Sequence, residues 1–261
     1  MTKIHQETFG SGKPIVLVHG WAMHTGIWRK FAKQLAQNFR VTCIDLPGHG
    51  QSEALQPFHL EQISELLASN IDNEPACWLG WSLGATVVLD FARRFPERCT
   101  ALIMMTGNPH FTQLSTSEVQ WPGMKIELLD SFASSLQENC QATLLRFLSL
   151  QVNGLQDYKK LMKELKTAVA EYPPPNEATL QGGLEILKSA DLRATLSELS
   201  MPILSILGAK DALVPVAVGE YLQTLSPNMT VKVIDKAGHA PFLSHPNEVV
   251  AMISDFIEHH V

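Results

Sequence analysis

"WLGWSLGAT", residues 78–86, places Ser82 between two glycines, Gly80 and Gly84, in an otherwise apolar segment. The residues before it, 75–80, have the pattern of a short buried strand, and residues 83–97 have that of an amphipathic helix that closes near Pro96. Ser82 is therefore predicted at a sharp strand-to-helix turn. Such a turn crowds the backbone two positions on either side of its apex, where only small residues fit. It pushes the serine side chain outward and is called a nucleophile elbow.

Strand-like and helical runs alternate along the chain. The strand-like runs are nearly continuous in apolar residues, which is typical of strands covered on both faces. We therefore predict an α/β protein with a mostly parallel, twisted sheet and helices on both faces. The predicted strand segments are residues 14–20, 39–48, 76–80, 100–107, 201–208 and 230–238.

The alternation stops between Asn108 and Lys188. Residues 119–154 and 158–172 have helical patterns, and the sequence predicts no strand between them. The proline-rich run at 172–177 bends the chain back toward the core. We expect a core formed by residues 1–108 and 188–261, with an inserted helical cap at 109–187.

Composition excludes several classes of protein. A chain of 261 residues, 45% hydrophobic and 18% charged, suits one globular domain with an insertion. A net charge of -6 argues against a general affinity for nucleic acid. No apolar run approaches a membrane span of about 18 residues, and the first residues lack a secretory signal pattern, so we expect no membrane association and a cytoplasmic location. The four cysteines lack metal-type spacing and are expected to be reduced thiols.

Polar residues just after predicted strands are the candidates for a site, because ligands of open parallel sheets bind beyond the carboxyl ends of the strands. His239 follows the last predicted strand and can reach Ser82 as a general base. Other histidines compete less well for this role: His19 is expected to hold backbone, His245 to lie in a loop or cap, and His259 and His260 to belong to the tail.

Asp211 follows the strand at 201–208 and can accept a hydrogen bond from the second imidazole nitrogen, which would fix the tautomer of His239. A turn aspartate is the alternative interpretation. Asp45 is interpreted as part of a structural turn, and Asp235 is expected inside its strand. The order Ser82, Asp211, His239 is the one expected of this kind of fold.

Two backbone N–H groups are predicted to stabilise an oxyanion. Leu83 follows Ser82 at the free N-terminal end of the predicted helix. Trp21 follows the turn after the strand at 14–20, and its indole can cover the site. The sequence shows neither a metal-ligand cluster nor a phosphate-binding glycine loop, so no metal or cofactor is expected.

Several motifs together resemble the α/β-hydrolase superfamily over almost the whole chain. They are LVHGW, DLPGHGQS, GWSLG, GAKDALVP and GHAPFLSHP, in this order. The resemblance implies an α/β-hydrolase fold with Ser82, Asp211 and His239 as a catalytic triad. It also implies hydrolysis through an acyl-enzyme.

The paired tryptophans in HGW and GWSLG, the run RFLSLQ at 146–151 and the segment 181–193 are similar to one narrower family. Its members are the methyl ester esterases that act on pimeloyl-acyl-carrier protein in biotin synthesis. The similarity implies an acyl-carrier protein as partner, besides small esters as substrates. Implied substrate-binding residues, besides Ser82 and His239, are Trp21, Leu83, Phe147, Leu148, Ser149, Leu150 and Gln151.

Carrier docking is the least direct of these implications. Arg146 matches a basic position of the family's cap, whereas Lys159 and Lys163 stand where arginines are expected. Lysine keeps the charge but loses the bidentate geometry, so the carrier preference can differ. A solvated helix face is the alternative interpretation of these lysines. A monomer is expected, although the sequence does not determine the oligomeric state.

Other functions remain open at this stage. A general short-chain carboxylesterase or a carbon–carbon bond hydrolase would use the same triad. A binding protein on this fold would hold a small ligand without turnover, and such proteins usually lack one of the three residues. Hydrolysis of p-nitrophenyl acetate, with Ser82→Ala as control, separates enzyme from binding protein.

Overall fold

The computed structural model describes residues 2–116 and 120–261, and a seven-stranded sheet forms the centre of this part of the chain. A separate two-stranded sheet, β6 and β7, lies between β5 and β8 in the chain. The strands are β1 Gln6–Phe9, β2 Pro14–Val18, β3 Arg40–Ile44, β4 Ala76–Trp81, β5 Cys99–Met105, β6 Leu114–Ser115, β7 Gln120–Trp121, β8 Ile203–Gly208 and β9 Met229–Ile234.

The order of strands in the large sheet is β1-β3-β2-β4-β5-β8-β9. All neighbouring pairs are parallel except β1 with β3. The sequence did not predict β1, because its four residues are only half-buried or exposed and lack an apolar run. The chain places β3 on one side of β2 and β4 on the other. This reversal of direction opens a crevice at the carboxyl ends of β2 and β4, where ligands bind in sheets of this kind.

Alternate residues of the strands pack into two separate hydrophobic clusters. In β2, for example, Val16 and Val18 pack on one face, whereas Ile15 and Leu17 pack on the other. Both faces of the sheet are therefore covered, as the continuously apolar strands predict.

Ten α-helices lie in the described part of the chain, and none of them is both long and apolar enough to cross a membrane. The helices are α1 Arg29–Leu35, α2 Leu60–Asn70, α3 Leu83–Arg94, α4 Ile126–Val152, α5 Tyr158–Val169, α6 Glu177–Ser189, α7 Arg193–Glu198, α8 Val218–Leu225, α9 Pro241–Ser244 and α10 Pro246–His260.

The segment between β5 and β8 contains a short β-ribbon that the sequence did not predict. We expected helix from 119 and no strand, but β6 and β7 pair here as a short antiparallel ribbon and α4 begins only at Ile126. Val119 lies outside the described residues. The physical reason is the Pro122–Gly123 pair, since proline interrupts helices and Gly123 lies so close to the Thr112 backbone that a side chain would come within 2.6 Å of it. The expected prolines at 173–175 do separate α5 from α6.

Helix α4 is broken near its middle. Asn139 has non-helical backbone angles, φ −156° and ψ 89°, and its side chain accepts a hydrogen bond of 3.0 Å from the N–H of Ala142. Asn139 thus acts as an N-cap for the second half of the helix. That half ends at Val152, and its Gln151 carbonyl accepts a hydrogen bond of 3.1 Å from the N–H of His239, which follows β9.

All four cysteines are free thiols. Cys43, Cys77 and Cys99 are buried, and Cys140 is half-buried. Burial raises the pKa of Cys99 to about 12 and raises those of Cys43 and Cys77 as well. The three buried thiols therefore behave as small apolar side chains.

Candidate active site

Ser82 lies at the sharp turn between β4 and α3, in a strained backbone conformation. Its φ is +56° and its ψ is −120°, a region that residues with a side chain rarely adopt. A Cβ on Gly80 would overlap the carbonyl of Gly84, and a Cβ on Gly84 would overlap the carbonyl of Val18. Both glycines are therefore required by close backbone contacts around the turn, which accounts for the G-x-S-x-G spacing.

A buried hydrogen bond of 2.8 Å joins His239 Nδ1 to Asp211 Oδ2. His239 follows β9, and Asp211 follows β8. The other carboxylate oxygen, Oδ1, accepts hydrogen bonds from the backbone N–H groups of Leu213 and Val214 at 2.7 and 3.0 Å. A carboxylate only accepts, so Nδ1 carries the imidazole proton and Nε2 is left as the basic nitrogen.

The backbone of His239 is tied to three other elements. Its carbonyl oxygen accepts hydrogen bonds of 2.7 Å from the indole of Trp81 and of 2.7 Å from the hydroxyl of Thr106. Its N–H donates to the carbonyl of Gln151, at the end of α4, over 3.1 Å. These contacts bring a residue that follows the edge strand β9 to the central strand β4 and fix its position there.

Thr106 is a residue that the sequence analysis did not single out. It follows β5, is fully buried and has a positive φ of +43°. The predicted strand at 100–107 includes Thr106, so the rule that selects polar residues just after strands missed it; the observed β5 ends at Met105. Its hydroxyl supports His239 and gives the site a contact from a fifth strand.

One side-chain atom of Ser82 and one of His239 have no hydrogen-bond partner among the described residues. They are Ser82 Oγ and His239 Nε2, and both are buried. Hydrogen bonds between a nucleophile and its base often close only when substrate is bound. These are the two atoms between which a serine nucleophile would pass its proton.

Trp21 and Leu83 carry the two backbone N–H groups that the sequence predicts to stabilise an oxyanion. Leu83 is the first residue of α3, and the first N–H groups of a helix have no acceptor within it. Gly20, whose peptide bond leads into Trp21, is so close to the nucleophile that a Cβ there would lie 3.1 Å from Ser82 Cβ. Neither N–H donates to another residue in the part of the chain that the structure describes.

The indole of Trp21 joins the site to the cap helices. Its Nε1 donates a hydrogen bond of 2.9 Å to the carbonyl of Leu180, and its ring lies edge-on to Phe147, with 4.8 Å between ring centroids. Gly183 of α6 packs so closely on this indole that a Cβ would come within 2.6 Å of it. Trp21 therefore lies between the sheet edge on one side and helices α4 and α6 on the other, and contacts both helices.

The segment 147–151 forms the last turns of α4. Phe147, Leu148 and Gln151 are buried, whereas Ser149 and Leu150 are half-buried. Both polar atoms of the Gln151 amide lack a hydrogen-bond partner within residues 2–116 and 120–261. The segment thus presents a mostly apolar surface with one unsatisfied amide beside His239.

The structure also shows the positions of the residues that were weighed as alternatives to Asp211 and His239. Asp45 accepts hydrogen bonds from the backbone of Thr25 and Gln51, in keeping with a structural turn. Asp235 lies one residue past the end of β9 rather than inside it, and it is exposed. His19 accepts a hydrogen bond from the Leu46 backbone, and His245 precedes α10.

The three predicted docking residues do not form a single cluster. Lys159 and Lys163 line the same shallow cleft on α5. Arg146 lies on α4, with its guanidinium carbon 5.1 Å from the ring centroid of Phe132 and its Nη1 3.3 Å from Ser131 Oγ. Arg146 therefore faces the first half of its own helix rather than α5.

No group of three or more His, Cys, Asp or Glu side chains that could hold a metal ion occurs in residues 2–116 and 120–261. The polar groups at the site are a serine hydroxyl, an imidazole, a carboxylate and two backbone N–H groups. Together they are suited to acyl transfer.

Comparison with solved structures shows the same fold. An esterase from Exiguobacterium antarcticum superposes with a TM-score of 0.87 at 20% identity and covers 98% of this chain and 96% of its own. An enol-lactonase from Burkholderia xenovorans superposes with a TM-score of 0.83 at 18% identity and covers 98% and 97%. Identities this low are informative about fold alone.

Sequence comparison is more specific. A profile for the α/β hydrolase fold matches residues 13–246. The chain is 40% identical to the pimeloyl-[acyl-carrier protein] methyl ester esterase of Serratia marcescens, over 100% of both chains. It is also 40% identical to the protein of that name from Methylococcus capsulatus, over 96% of this chain and 97% of the other. The chain therefore belongs to the α/β-hydrolase fold family and, within it, to the family of the pimeloyl-[acyl-carrier protein] methyl ester esterases.

Proposed function

We propose that this protein is a serine carboxylesterase that hydrolyses the methyl ester of pimeloyl-acyl-carrier protein and so frees the pimeloyl carboxylate. The observation that carries the proposal is the buried Asp211–His239 pair at the sheet edge beside Ser82 on its strained turn. The names of relatives that are 40% identical over nearly the whole chain support the choice of ester.

The reaction follows from the roles of the three side chains. His239 Nε2 takes the proton of Ser82 Oγ as the oxygen attacks the ester carbonyl. The tetrahedral intermediate collapses, methanol leaves with that proton, and the acyl group stays on Ser82. Water, deprotonated by His239, then attacks the acyl-enzyme and releases the carboxylic acid and the free serine. Asp211 holds the tautomer and stabilises the imidazolium.

The oxyanion of each tetrahedral intermediate would accept hydrogen bonds from the N–H groups of Trp21 and Leu83. Both groups are fixed before the reaction, one by the turn after β2 and the other by α3. Loss of one prearranged donor of this kind lowers kcat by about a hundredfold to a thousandfold. No metal or cofactor is needed for any step, so EDTA should leave the activity intact.

The acyl chain would lie between the sheet edge and α4. Ser82 and His239 are 2% and 0% exposed, so the substrate must reach them from beneath the cap. A groove of about 760 Å³ lies between the second half of α4 and the segment that ends α5, and it is lined by Leu144, Leu145 and Leu148 together with Tyr172 and Pro173. Its mostly apolar lining suits a hydrocarbon chain. We propose that the chain passes from this groove beneath α4 toward Trp21 and Phe147, whose rings pack on each other.

The cap would also decide which of two reactive bonds is cut. The substrate carries a thioester to the carrier at one end and a methyl ester at the other. If the carrier stays at the cap surface, the thioester remains near the entrance and the terminal ester reaches Ser82. The triad then needs no intrinsic preference for one bond over the other.

An acidic carrier would dock on the basic cap residues Arg146, Lys159 and Lys163. The four lysines of α5, at 159, 160, 163 and 166, are exposed in a chain whose net charge is -6. Concentrated positive charge on an acidic protein would steer an acidic partner to this helix. Because Arg146 faces away from α5, the two lysines are the stronger part of this surface.

We place the reaction in the cytoplasm. The four free cysteines support this location, because thiols stay reduced there and oxidise in extracellular compartments.

The test is turnover of the carrier-linked methyl ester by the purified protein, followed by intact-mass spectrometry of the carrier. We expect the carrier to lose the mass of one methylene unit, as ester becomes acid, and to keep its acyl chain. Ser82→Ala is the control and should leave the carrier unchanged. Release of the whole acyl chain, or activity on small esters alone, would favour a thioesterase or a general short-chain carboxylesterase instead.

A further inference from the structure

His19 makes two buried hydrogen bonds that link it to the peptide beside the nucleophile. Its Nδ1 lies 2.8 Å from the carbonyl oxygen of Gly20, and its Nε2 lies 2.9 Å from the backbone nitrogen of Leu46. The imidazole is completely buried. It therefore bridges the loops that follow β2 and β3.

The bonding partners determine the tautomer of this histidine. The Leu46 N–H can only donate, so His19 Nε2 must be the accepting, unprotonated nitrogen. The proton is then on Nδ1, which donates to the Gly20 carbonyl. Burial lowers the pKa of His19 to about 3, so the ring keeps this neutral form at ordinary pH.

The acceptor of that hydrogen bond belongs to the same peptide unit as the Trp21 N–H. A trans peptide is planar, and its C=O and N–H point in opposite directions. Holding the Gly20 carbonyl toward His19 therefore directs the Trp21 N–H the other way, and Gly20 itself packs against Ser82.

The loop needs such an anchor, because its own conformation is unfavourable. Ala22 has a positive φ of 60°. This backbone conformation is unfavourable in free energy for any residue other than glycine. The only other hydrogen bond to the Gly20 carbonyl in residues 2–116 and 120–261 is from the Met23 N–H, over 3.2 Å. A rotated peptide would turn a carbonyl oxygen, instead of a donor, toward the developing oxyanion.

We infer that His19 is a positioning residue for the oxyanion hole, which fixes the direction of the Trp21 N–H through the Gly20 carbonyl. The inference rests on the proposed ester hydrolysis, but it concerns a residue outside the triad. His19 touches neither the substrate nor the reacting atoms. Its contribution should therefore appear in the stabilisation of the transition state rather than in substrate binding.

Two substitutions separate the two hydrogen bonds of His19. In His19→Asn, the side-chain N–H₂ can occupy the position of Nδ1 and still donate to Gly20. In His19→Gln, the side-chain oxygen can occupy the position of Nε2 and accept from Leu46, but the donor to Gly20 is lost. We expect His19→Gln to lower kcat for a small ester by about tenfold to a hundredfold with little change in KM, and His19→Asn to recover most of the loss.

His49 provides the matched control. It is buried beside His19, with 5.1 Å between ring centroids, and its Nδ1 lies 2.9 Å from the Pro47 carbonyl rather than near Gly20. His49→Gln removes an equally buried imidazole and should leave kcat near that of the parent protein. An equal loss in His49→Gln, or equal activity in His19→Gln and His19→Asn, would overturn the inference.

A trifluoromethyl ketone gives a readout that a purely structural role would not move. It adds to the serine as a hemiketal whose oxyanion occupies the oxyanion hole. Its inhibition constant should weaken in His19→Gln by the same factor as kcat/KM, whereas the product carboxylic acid should bind as before. Parallel weakening of both ligands would contradict the positioning role.

A final measurement uses the unchanged protein and does not depend on the folding of any variant. The ¹⁵N NMR spectrum of its histidines should show His19 protonated on Nδ1 and not on Nε2. A spectrum with the proton on Nε2 would overturn the inference, because that tautomer has no hydrogen to give to Gly20. If His19 behaves as inferred while Ser82→Ala retains esterase activity, the proposed function fails and the role of His19 in the loop stands.

Discussion

The indole nitrogen of Trp81 donates a hydrogen bond of 2.7 Å to the carbonyl oxygen of His239, 158 residues further along the chain. Trp81 immediately precedes Ser82, so the strand that leads into Ser82 also holds the backbone of His239. The hydroxyl of Thr106 donates to the same oxygen. The separation of Ser82 and His239 therefore depends on two side chains outside the proposed triad.

Loss of the Trp81 hydrogen bond should impair catalysis more than stability. We expect Trp81→Phe to lower kcat by about tenfold or more, because small displacements of catalytic groups are costly. Trp28→Phe is the matched control: Trp28 is equally buried, its ring centroid lies 5.9 Å from that of Trp81, and its indole nitrogen has no partner among the described residues. Kinetics and thermal unfolding of both variants would test this. Equal kcat values at equal stability would refute it.

The strained backbone of Ser82 predicts an unusual order of stabilities. Glycine tolerates a φ of +56°, whereas alanine does not, so Ser82→Gly should be more stable than Ser82→Ala by about 1 kcal/mol. Both variants should lose esterase activity by several orders of magnitude. The free energies of unfolding come from urea titrations.

Ser205 supplies the comparison for this experiment. It is buried in β8, and its hydroxyl, like that of Ser82, has no partner in the described part of the chain. Its backbone is that of an ordinary strand, where glycine is less stable than alanine by about 0.5–1 kcal/mol. The order of Gly and Ala should therefore be reversed at Ser205. The same order at both positions would mean that Ser82 is not strained.

The buried histidines predict how stability depends on pH. Burial lowers the pKa values of His19 and His49 to about 3, from an ordinary value of 6.5. Below about pH 6.5 the unfolded chain binds a proton at each histidine that the folded protein does not bind, so stability falls as pH falls from about 6.5 toward 3. As pH falls from about 7 to about 5, each of these histidines should lower the unfolding free energy by about 2 kcal/mol.

His49→Gln tests that linkage. The variant lacks one of the two groups, so its unfolding free energy should fall by about 2 kcal/mol less over the same pH interval. Urea unfolding at both pH values, for the parent and the variant, gives the comparison. An identical pH dependence would show that His49 does not resist protonation in the folded protein.

The positions of the basic cap residues predict unequal effects of charge reversal. We expect Lys159→Glu with Lys163→Glu to raise KM for the carrier-linked ester by about tenfold at low salt, with a smaller effect from Arg146→Glu. Added salt should reduce the difference, because it screens exposed charges. Hydrolysis of p-nitrophenyl acetate should not change.

Lys13→Glu with Lys232→Glu is the matched control for charge, since both lysines are exposed and lie on the core rather than on the cap. This pair should leave KM for the carrier-linked ester near the parent value. If both double variants behave alike, net charge rather than docking on α5 governs the encounter.

Much of the core was predictable, because parallel strands covered on both faces leave long apolar runs and because functional residues follow their ends. Asp211 and His239 could be selected in this way before any contact was known, and the structure joins them by a hydrogen bond. The same rule missed Thr106, because the predicted strand at 100–107 runs two residues past the observed end of β5 at Met105. The positive φ of Ser82 follows from the glycines on either side.

Features that depend on weak local signals were not predictable. Strand β1 has no apolar run, and the β6–β7 ribbon is set by Pro122 and Gly123 against the backbone of Thr112. The Arg146 side chain points toward Phe132, and this direction depends on the break in α4 at Asn139. The role of His19 required its two hydrogen-bond partners, which come from loops after different strands.

The most direct test of the proposed reaction traps its covalent intermediate on the carrier-linked substrate. A carrier protein whose acyl chain ends in a phosphonofluoridate in place of the methyl ester loses fluoride when a serine oxygen attacks the phosphorus. Attack by Ser82 at that end must leave this protein and the carrier joined through the chain. We predict one cross-linked species on a denaturing gel, with the bond mapped to Ser82 and absent from Ser82→Ala. Labelling of Ser82 by a small fluorophosphonate without any cross-link to the carrier would contradict the account.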